Sequence, residues 1–160
     1  MKSLKVYTGT SDEERAKFYR KGVFVIPAHL NGNKLNHDPG DLGSGCYCDT
    51  RLYRARFYGK YLFRLTLDAS KILDLGCPYG GPENLSQPWL KPLFYDENGG
   101  MKTVQLPKDQ RIKAAEQITR ELLKRGYLGA RWGSEVVLFS NDVVLEYVEI
   151  KRNGRAINDY

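Results

Sequence analysis

SEVVLF, at residues 134–139, is the stretch that is most informative about the fold. It places a carboxylate, that of Glu135, at the head of an apolar segment. The unbroken run of Val, Leu and Phe predicts a strand that lies inside a sheet. Glu135 would lose hydration at the mouth of such a strand unless it has a partner or a chemical role, and a strand holds a side chain rigidly enough for catalysis. By itself the stretch favours a solvent-exposed glutamate; three further motifs favour a functional one.

The elements around this strand predict an α+β fold with a largely antiparallel sheet and few helices. A chain of 160 residues fits a single domain, residues 1–160. Helices are predicted at 11–21, capped by Ser11 in a capping box, at 50–58, and from Pro107 to the residue before Gly126. Strands are predicted at 4–8, 23–26, 45–48, 61–67, 72–75, 135–139 and 143–150. Because the helices are few and late, a doubly wound parallel sheet is not expected.

Two long polar segments separate these elements. Residues 27–43 are rich in Pro, Gly, Asn and Asp, and residues 76–106 contain four prolines and two Gly-Gly pairs. Loops of this length inside a compact domain are often functional. For residues 76–106 the alternative is an insertion that only packs on the surface.

Composition limits the partners and the location. A net charge of +6 favours contact with something acidic. The three Cys residues, with Cys46 close to Cys48, argue against a disulfide framework, and with only His29 and His37 beside them we expect no metal site. No stretch approaches the roughly 20 apolar residues of a membrane helix, and the first seven residues contain no apolar signal region. We therefore expect a cytoplasmic protein without membrane contact, which is compatible with secretion as an effector.

A basic and aromatic segment runs from Thr50 to Leu67 without a single acidic residue. It contains Arg51, Arg54, Arg56, Lys60 and Arg64, interleaved with Tyr53, Phe57, Tyr58, Tyr61 and Phe63. Such a mixture suits phosphate contact together with base stacking. A solvated helix face followed by an ordinary amphipathic strand explains the same pattern, and a small phosphate-bearing ligand fits it too.

Three motifs precede Glu135 in a fixed order. They are Tyr7-Thr8-Gly9-Thr10, then Gly43-Ser44-Gly45-Cys46-Tyr47, then Ala55-Arg56-Phe57-Tyr58. Tyr47 and Tyr58 are eleven residues apart. In order and spacing this set resembles the ADP-ribosyltransferase fold, in particular the branch of diphtheria-type toxins and poly-ADP-ribose polymerases. Each motif alone is weak, but the ordered set covers nearly the whole chain.

The resemblance implies a split, largely antiparallel sheet and NAD as co-substrate, with no metal. It makes Glu135 the catalytic carboxylate that stabilises positive charge on the ribose. The NAD-binding residues that it implies are Thr8, Gly9, Thr10, Tyr47, Ala55 and Tyr58, with the two tyrosines sandwiching the nicotinamide and residues 27–43 as the donor loop. Trp132 would lie in the loop that recognises the acceptor.

One position departs from this pattern. Thr8 stands where the resembling branch has His and the arginine-specific branch has Arg. Thr8 is therefore expected to line the NAD site with a shorter polar arm, so that NAD binds weakly and Thr8→His tightens it. Gly133, two residues before Glu135, has no side chain to select an Arg or Asn acceptor, so such acceptors are disfavoured.

The function implied is that of an NAD-dependent mono-ADP-ribosyltransferase acting on a macromolecule, either nucleic acid or protein. A toxin or effector role suits a small catalytic domain and would bring an antitoxin or immunity protein as a partner. Two alternatives stay open at this point. One is an NAD glycohydrolase or a catalytically degenerate homologue, and the other is a basic nucleic-acid-binding module without chemistry.

Overall fold

The structure, a computed structural model, describes residues 2–27, 30, 42–76, 88–98 and 102–160. Within these ranges the chain forms strands and helices in the following order: β1 (Ser3–Thr10), α1 (Glu13–Arg20), β2 (Cys46–Asp49), α2 (Leu52–Ala55), β3 (Tyr61–Asp68), β4 (Ile72–Asp74), α3 (Lys91–Phe94), α4 (Lys102–Gln105), α5 (Lys108–Lys124), β5 (Gly129–Trp132), β6 (Glu135–Leu138), β7 (Val144–Arg152) and β8 (Arg155–Ala156). A 3-10 turn at Arg56–Tyr58 continues α2. No helix in the described residues is long and apolar enough to cross a membrane.

The strands form one eight-stranded sheet in the order β4-β5-β6-β2-β1-β3-β7-β8. Among the strands of the described residues only the β4–β5 pair is parallel, and the other pairs are antiparallel. The α+β class with a largely antiparallel sheet is therefore confirmed. Two of the antiparallel pairs, β5–β6 and β7–β8, are hairpins, and a tight turn can join only antiparallel neighbours.

The sheet consists of two halves that meet at a single residue pair. β1 pairs with β3 along its whole length, from Ser3 opposite Asp68 to Thr10 opposite Tyr61. β1 pairs with β2 at one position only, Tyr7 opposite Asp49. Beyond Tyr7 the β2-facing edge of β1 therefore has no ladder partner among the described strands, and the sheet opens there.

Side-chain alternation along the strands creates two different faces. One face, here called the α1 face, buries Cys46 and Cys48 with Val6, Phe63 and Tyr19 of α1. Alternation along Cys46-Tyr47-Cys48 places both cysteines in this core and Tyr47 on the other face. Burial raises the pKa of Cys48 well above its usual range, so this thiol is a packing group and not a nucleophile.

The opposite face, here called the α5 face, is covered in two parts. Over β5, β6 and β2, helices α3 and α5 bury a cluster that includes Tyr47, Val137 and Ile118. Over β1 and β3, α2 buries Ala55 against Tyr7, Leu62 and Ile150. Tyr58 packs against both clusters. It therefore lies above the line where the two half-sheets separate.

The strand predicted at residues 23–26 is wrong. This segment has no ladder, although Phe24 and Ile26 are fully buried or nearly so, at 0% and 1% exposed. A side chain replaces the missing strand: Asn141 Oδ1 accepts from the backbone N–H of Phe24 at 2.7 Å and of Val25 at 2.9 Å, and Asn141 Nδ2 donates to the Val25 carbonyl at 3.0 Å. The continuous apolar run thus predicted burial correctly and strand pairing incorrectly.

The cap of α1 also differs from the prediction. Asp12, and not Ser11, is the N-cap, because its carboxylate accepts from the backbone N–H of Glu14 at 2.9 Å and of Arg15 at 3.5 Å. The helix consequently begins at Glu13. Both Ser and Asp are good N-caps, and the position of Thr10 at the end of β1 decides which residue can turn toward the helix.

Part of the segment 76–106 is described and contains structure. Leu90, Leu93 and Phe94, in and beside α3, are buried against α5, and α4 follows at Lys102–Gln105. These apolar contacts tie the described part to the core of the α5 face. His29, His37 and Cys77, and most of residues 27–43 and 76–88, lie outside the described residues.

Candidate active site

The opening of the sheet lies between Gly9 on β1 and Tyr47 on β2. Continuing the register from Tyr7 opposite Asp49 would bring Gly9 opposite Tyr47. The ladder has ended by that point, so these two residues flank the opening without a strand pair between them. An open strand edge offers backbone N–H and C=O groups to a ligand.

Gly9 is a glycine for steric reasons. A Cβ at this position would lie 2.5 Å from Leu62 Cδ2, 2.8 Å from the Tyr61 carbonyl oxygen and 3.5 Å from Tyr58 Cβ. The first two distances are too short for any side chain. The third places Tyr58 directly over the Gly9 backbone, so the structure brings these two predicted site residues together.

The two predicted stacking tyrosines share a neighbourhood but differ in exposure. Tyr47 is 8% exposed, and its hydroxyl donates to the Gly43 carbonyl at 2.5 Å. Tyr58 is half-buried and contacts the cluster that contains Tyr47. Tyr58 is the more accessible of the two rings, and the sandwich of one nicotinamide by both stays a prediction.

Burial raises the pKa of the Tyr58 hydroxyl well above its usual range, and the thiol of Cys48 and the carboxylates of Glu135 and Asp49 raise it further. Negative charge nearby opposes formation of a phenolate. Tyr58 therefore stays neutral at physiological pH and retains an O–H donor. Glu135 and Asp49 are opposite each other across the β2–β6 pair, and Tyr58 packs against the cluster that contains Tyr47 on that face of the sheet.

Glu135 lies at the head of β6, as the sequence predicts, and is half-buried. It is opposite Trp132 across the β5–β6 hairpin and opposite Asp49 on β2. Directly opposed residues share a face, with their Cβ atoms about 4.5–5.5 Å apart. The face shared by Glu135, Asp49 and Trp132 is the α5 face, on which Tyr47 and Gly9 also lie. Trp132 packs against the Tyr47 cluster.

The turn before Glu135 requires glycine. Gly133 has φ +62° and is the first residue of a two-residue hairpin loop between Trp132 and Glu135. A positive φ at this position is typical of the tight turns that join twisted antiparallel strands. The backbone conformation of the turn therefore explains the glycine at position 133, independently of any effect on the choice of acceptor.

Asp49 is a site residue that the sequence analysis missed. Its carboxylate is only 4% exposed. It accepts from the Arg51 backbone N–H at 2.8 Å and from Arg51 Nε at 3.3 Å, while Ser134 Oγ donates to it at 3.4 Å. Arg54 Nε lies 3.9 Å away. A buried carboxylate persists because these donors replace its water.

The signal for Asp49 was present in the sequence. An Asp at a strand end whose oxygen bonds the backbone two residues on is a recognised turn former, and strand alternation places Asp49 on the same face as Tyr47. The Arg51 side chain then reaches across the β2–β6 pair, since Arg51 Nη2 donates to Ser134 Oγ at 2.6 Å. This cluster fixes the turn that carries Glu135.

Three predicted binding residues have side chains that do not reach the opening. Thr8 is fully buried, and its Oγ1 donates to the Tyr47 carbonyl at 2.8 Å and lies 3.8 Å from Cys46 Sγ. Thr10 is 7% exposed, and its Oγ1 accepts from the Asp12 backbone N–H at 3.0 Å. Ala55 is fully buried under α2. These side chains hold the scaffold around the opening.

Thr8 thereby changes its role from the predicted one. Its hydroxyl bridges β1 and β2 beyond the last backbone pair of the ladder by donating to the Tyr47 carbonyl. It faces the α1 face, away from Tyr58 and Glu135. The expectation that Thr8→His would tighten NAD binding rested on a side chain that lines the site, and the structure removes that reason.

We expect Thr8→Val to lower the free energy of unfolding by about 1–2 kcal/mol, because it keeps the shape but leaves the Tyr47 carbonyl without its donor. Thr8→His should cost about 1–3 kcal/mol or more, because a larger polar ring must enter a filled interior. Urea unfolding followed by circular dichroism measures both. Thr66→Val on β3, at a half-buried position, is the matched control, and equal stability of the Thr8 and Thr66 variants would contradict the bridging role.

Comparison of the sequence with protein-family models and with curated proteins found no match. The functional conclusion therefore depends on the residues and their geometry. Among the described residues no group of three His, Cys, Asp or Glu side chains is arranged to hold a metal ion. A cavity of about 710 Å³ lies beside the N-terminal half of α5, between Asp96 and Arg120; it is remote from Gly9 and Glu135 and does not belong to this site.

Proposed function

We propose that the protein is an NAD-dependent mono-ADP-ribosyltransferase that transfers ADP-ribose to a macromolecule. The observation that carries this proposal is the opening of the sheet after Tyr7 and Asp49, flanked by Gly9 and Tyr47. On the same face of the sheet lie a half-buried aromatic ring, that of Tyr58, and two opposed carboxylates, those of Glu135 and Asp49.

The residues at the opening fit the nicotinamide half of NAD by their chemistry. A carboxamide requires one donor and one acceptor, which the backbone of Gly9 offers at a strand edge. A cationic aromatic ring is attracted to the face of Tyr58. Arg54 is exposed on the same segment, and its Nε lies 3.9 Å from Asp49 Oδ2, so it is the candidate for the pyrophosphate. The neutral Tyr58 hydroxyl can also donate a hydrogen bond without adding charge.

NAD supplies the glycosidic bond whose cleavage leaves positive charge on the ribose. Glu135 is held on a strand and by a tight hairpin, so its carboxylate can stabilise that charge without first rearranging. Asp49 adds a second negative charge beside it, and Arg51 and Ser134 hold Asp49 in place. Preorganised charge of this kind is commonly the largest part of catalysis.

The direct test is release of nicotinamide from NAD by the purified chain, followed by proton NMR, with and without a mixture of candidate acceptors. Nicotinamide release together with a mass increase of one ADP-ribose unit on an acceptor supports the proposal. Absence of both, in a protein that unfolds cooperatively and is therefore folded, would contradict it.

Hydrolysis of NAD is the second candidate function, and the partial exposure of Glu135 favours it. A carboxylate that water can reach acts as a general base toward that water, as in glycoside hydrolysis. Under this alternative nicotinamide and free ADP-ribose appear in equal amounts, and addition of an acceptor changes neither yield. The NMR experiment therefore separates transfer from hydrolysis in one series.

A further inference from the structure

The outer side of α2 and the turn that follows carries an exposed basic and aromatic surface. We call it the Phe57 surface, and its members are Arg51, Tyr53, Arg54, Arg56, Phe57 and Lys60, all exposed. The inner side of the same segment holds Ala55 and Tyr58. One short segment therefore contributes to the candidate active site with one side and presents the Phe57 surface with the other.

Phe57 is the most unusual member of this surface, because it is 86% exposed. A phenylalanine contributes to stability through burial, so an almost fully exposed ring gives the folded chain almost none of that benefit. Tyr53, one helical turn earlier, is also exposed, at 56%. Residues about one turn apart on a helical segment lie on the same side of it, so the two exposed rings share one side.

The segment that carries these two rings is basic, and one of its arginines contacts Tyr53. Arg51 lies over the Tyr53 ring at 5.2 Å, and its Nη1 donates to the Tyr53 hydroxyl at 2.8 Å, which holds that ring in one orientation. No acidic residue occurs from Thr50 to Leu67. The nearest acid before this stretch, Asp49, is buried and faces Arg51 and Arg54. The surface therefore attracts anions, while its rings offer flat apolar faces.

We propose that the Phe57 surface binds single-stranded nucleic acid and presents a nucleotide of it to the opening as the ADP-ribose acceptor. Exposed rings interleaved with cations are what such a strand requires, since its bases stack on aromatic faces and its phosphates contact Arg and Lys. A duplex hides its base faces and would leave Phe57 unused. An amphipathic membrane helix needs more length than α2 provides.

The acceptor part of this inference rests on the proposed function; the binding part does not. In the transfer, a nitrogen or oxygen atom of the acceptor nucleotide forms a bond to the ribose C1′ carbon. The bond from C1′ to the nicotinamide nitrogen breaks, and nicotinamide leaves with that electron pair. The proton carried by the acceptor atom passes to water. Glu135 stabilises the charge on the ribose while the bonds change.

Binding is tested without NAD by fluorescence anisotropy with labelled DNA and RNA single strands of mixed sequence, about 12 nucleotides long, within the usual range of such sites. The same titration with a DNA duplex and with inorganic polyphosphate separates stacking from charge alone. Phe57→Ala is expected to weaken single-strand binding about tenfold or more, since one stacked base contributes that much. Arg56→Gln with Lys60→Gln is expected to lower the slope of log affinity against log salt by about 0.7 for each phosphate contact removed.

The matched controls are Tyr160→Ala, an exposed ring near the C-terminus at 45% exposure, and Arg120→Gln, an exposed arginine on α5. Neither should change binding. Because Phe57 is exposed, its replacement should leave the unfolding midpoint unchanged. Three results would each overturn the proposal. The single strand binds tightly and Phe57→Ala does not weaken the binding, or polyphosphate binds as well as the single strand, or no single strand binds even at low salt.

Transfer is tested separately with labelled NAD and the same oligonucleotides. The acceptor role is supported if the parent protein transfers label to the oligonucleotide and Phe57→Ala transfers less. Label that enters only added proteins overturns it, even if oligonucleotides bind. If nicotinamide is never released but oligonucleotides still bind through Phe57, the proposed function fails and the binding surface is supported. If nicotinamide is released but no oligonucleotide binds, the proposed function is supported and the binding surface fails.

Discussion

Glu135→Gln is expected to slow nicotinamide release from NAD by about 100- to 1000-fold. The substitution keeps the size and much of the hydrogen bonding of the side chain but removes its charge. Glu135 lies at the head of β6 next to a two-residue hairpin, so the amide should occupy the position of the carboxylate. The loss then reports on charge stabilisation of the ribose and not on folding. Initial rates by proton NMR measure it.

Glu146→Gln on β7 is the matched control, because it removes a carboxylate from an exposed strand position in the other half-sheet. It should change neither the rate nor the stability. Asp49→Asn should lower the rate less than Glu135→Gln, since its carboxylate is buried and held by Arg51 and Ser134. If Glu135→Gln and Glu135→Ala both release nicotinamide at the parent rate, Glu135 is not the catalytic carboxylate.

Gly45→Ala is expected to lower the free energy of unfolding by about 3 kcal/mol or more. A Cβ at Gly45 would lie 2.1 Å from the Leu138 carbonyl oxygen and 3.0 Å from its carbonyl carbon. Both atoms belong to the backbone of β6, so no side-chain rotation relieves the contact. The β2–β6 pair must separate, and that pair carries Tyr47, Asp49 and Glu135. Urea denaturation measures the change.

Gly126→Ala separates this steric effect from backbone conformation. Gly126 has φ +91°, but nothing lies within 4 Å of its Cβ position. Its replacement should cost only about 1–2 kcal/mol, the usual penalty for a side chain in left-handed backbone. If Gly45→Ala lowers the free energy of unfolding no more than Gly126→Ala does, β2 and β6 can move apart easily. That result would contradict the close approach of Gly45 to the Leu138 backbone.

Local pattern was a reliable guide to burial and to which side a residue faces. The alternation of Cys46, Tyr47 and Cys48 predicted opposite faces for the thiols and the ring, and both thiols lie in the α1-face core. The run after Glu135 predicted a central strand, which β6 is. The same reasoning misplaced a strand at 23–26. An apolar pattern indicates burial, but it does not indicate which group makes the hydrogen bonds of the backbone. There the partner is a side chain 116 residues away, that of Asn141.

The sequence by itself determined the α+β class, the strand position of Glu135 and the basic, aromatic character of residues 50–67. These depend on periodicity, turn residues and composition, which are local. Only the tertiary structure decided that β1 and β2 part after one residue pair, that Asp49 stands opposite Glu135, and that the Thr8 hydroxyl is used inside the sheet. Those outcomes depend on strand register and on hydrogen bonds between residues distant in the chain, and one residue of register changes which face every side chain of a strand occupies.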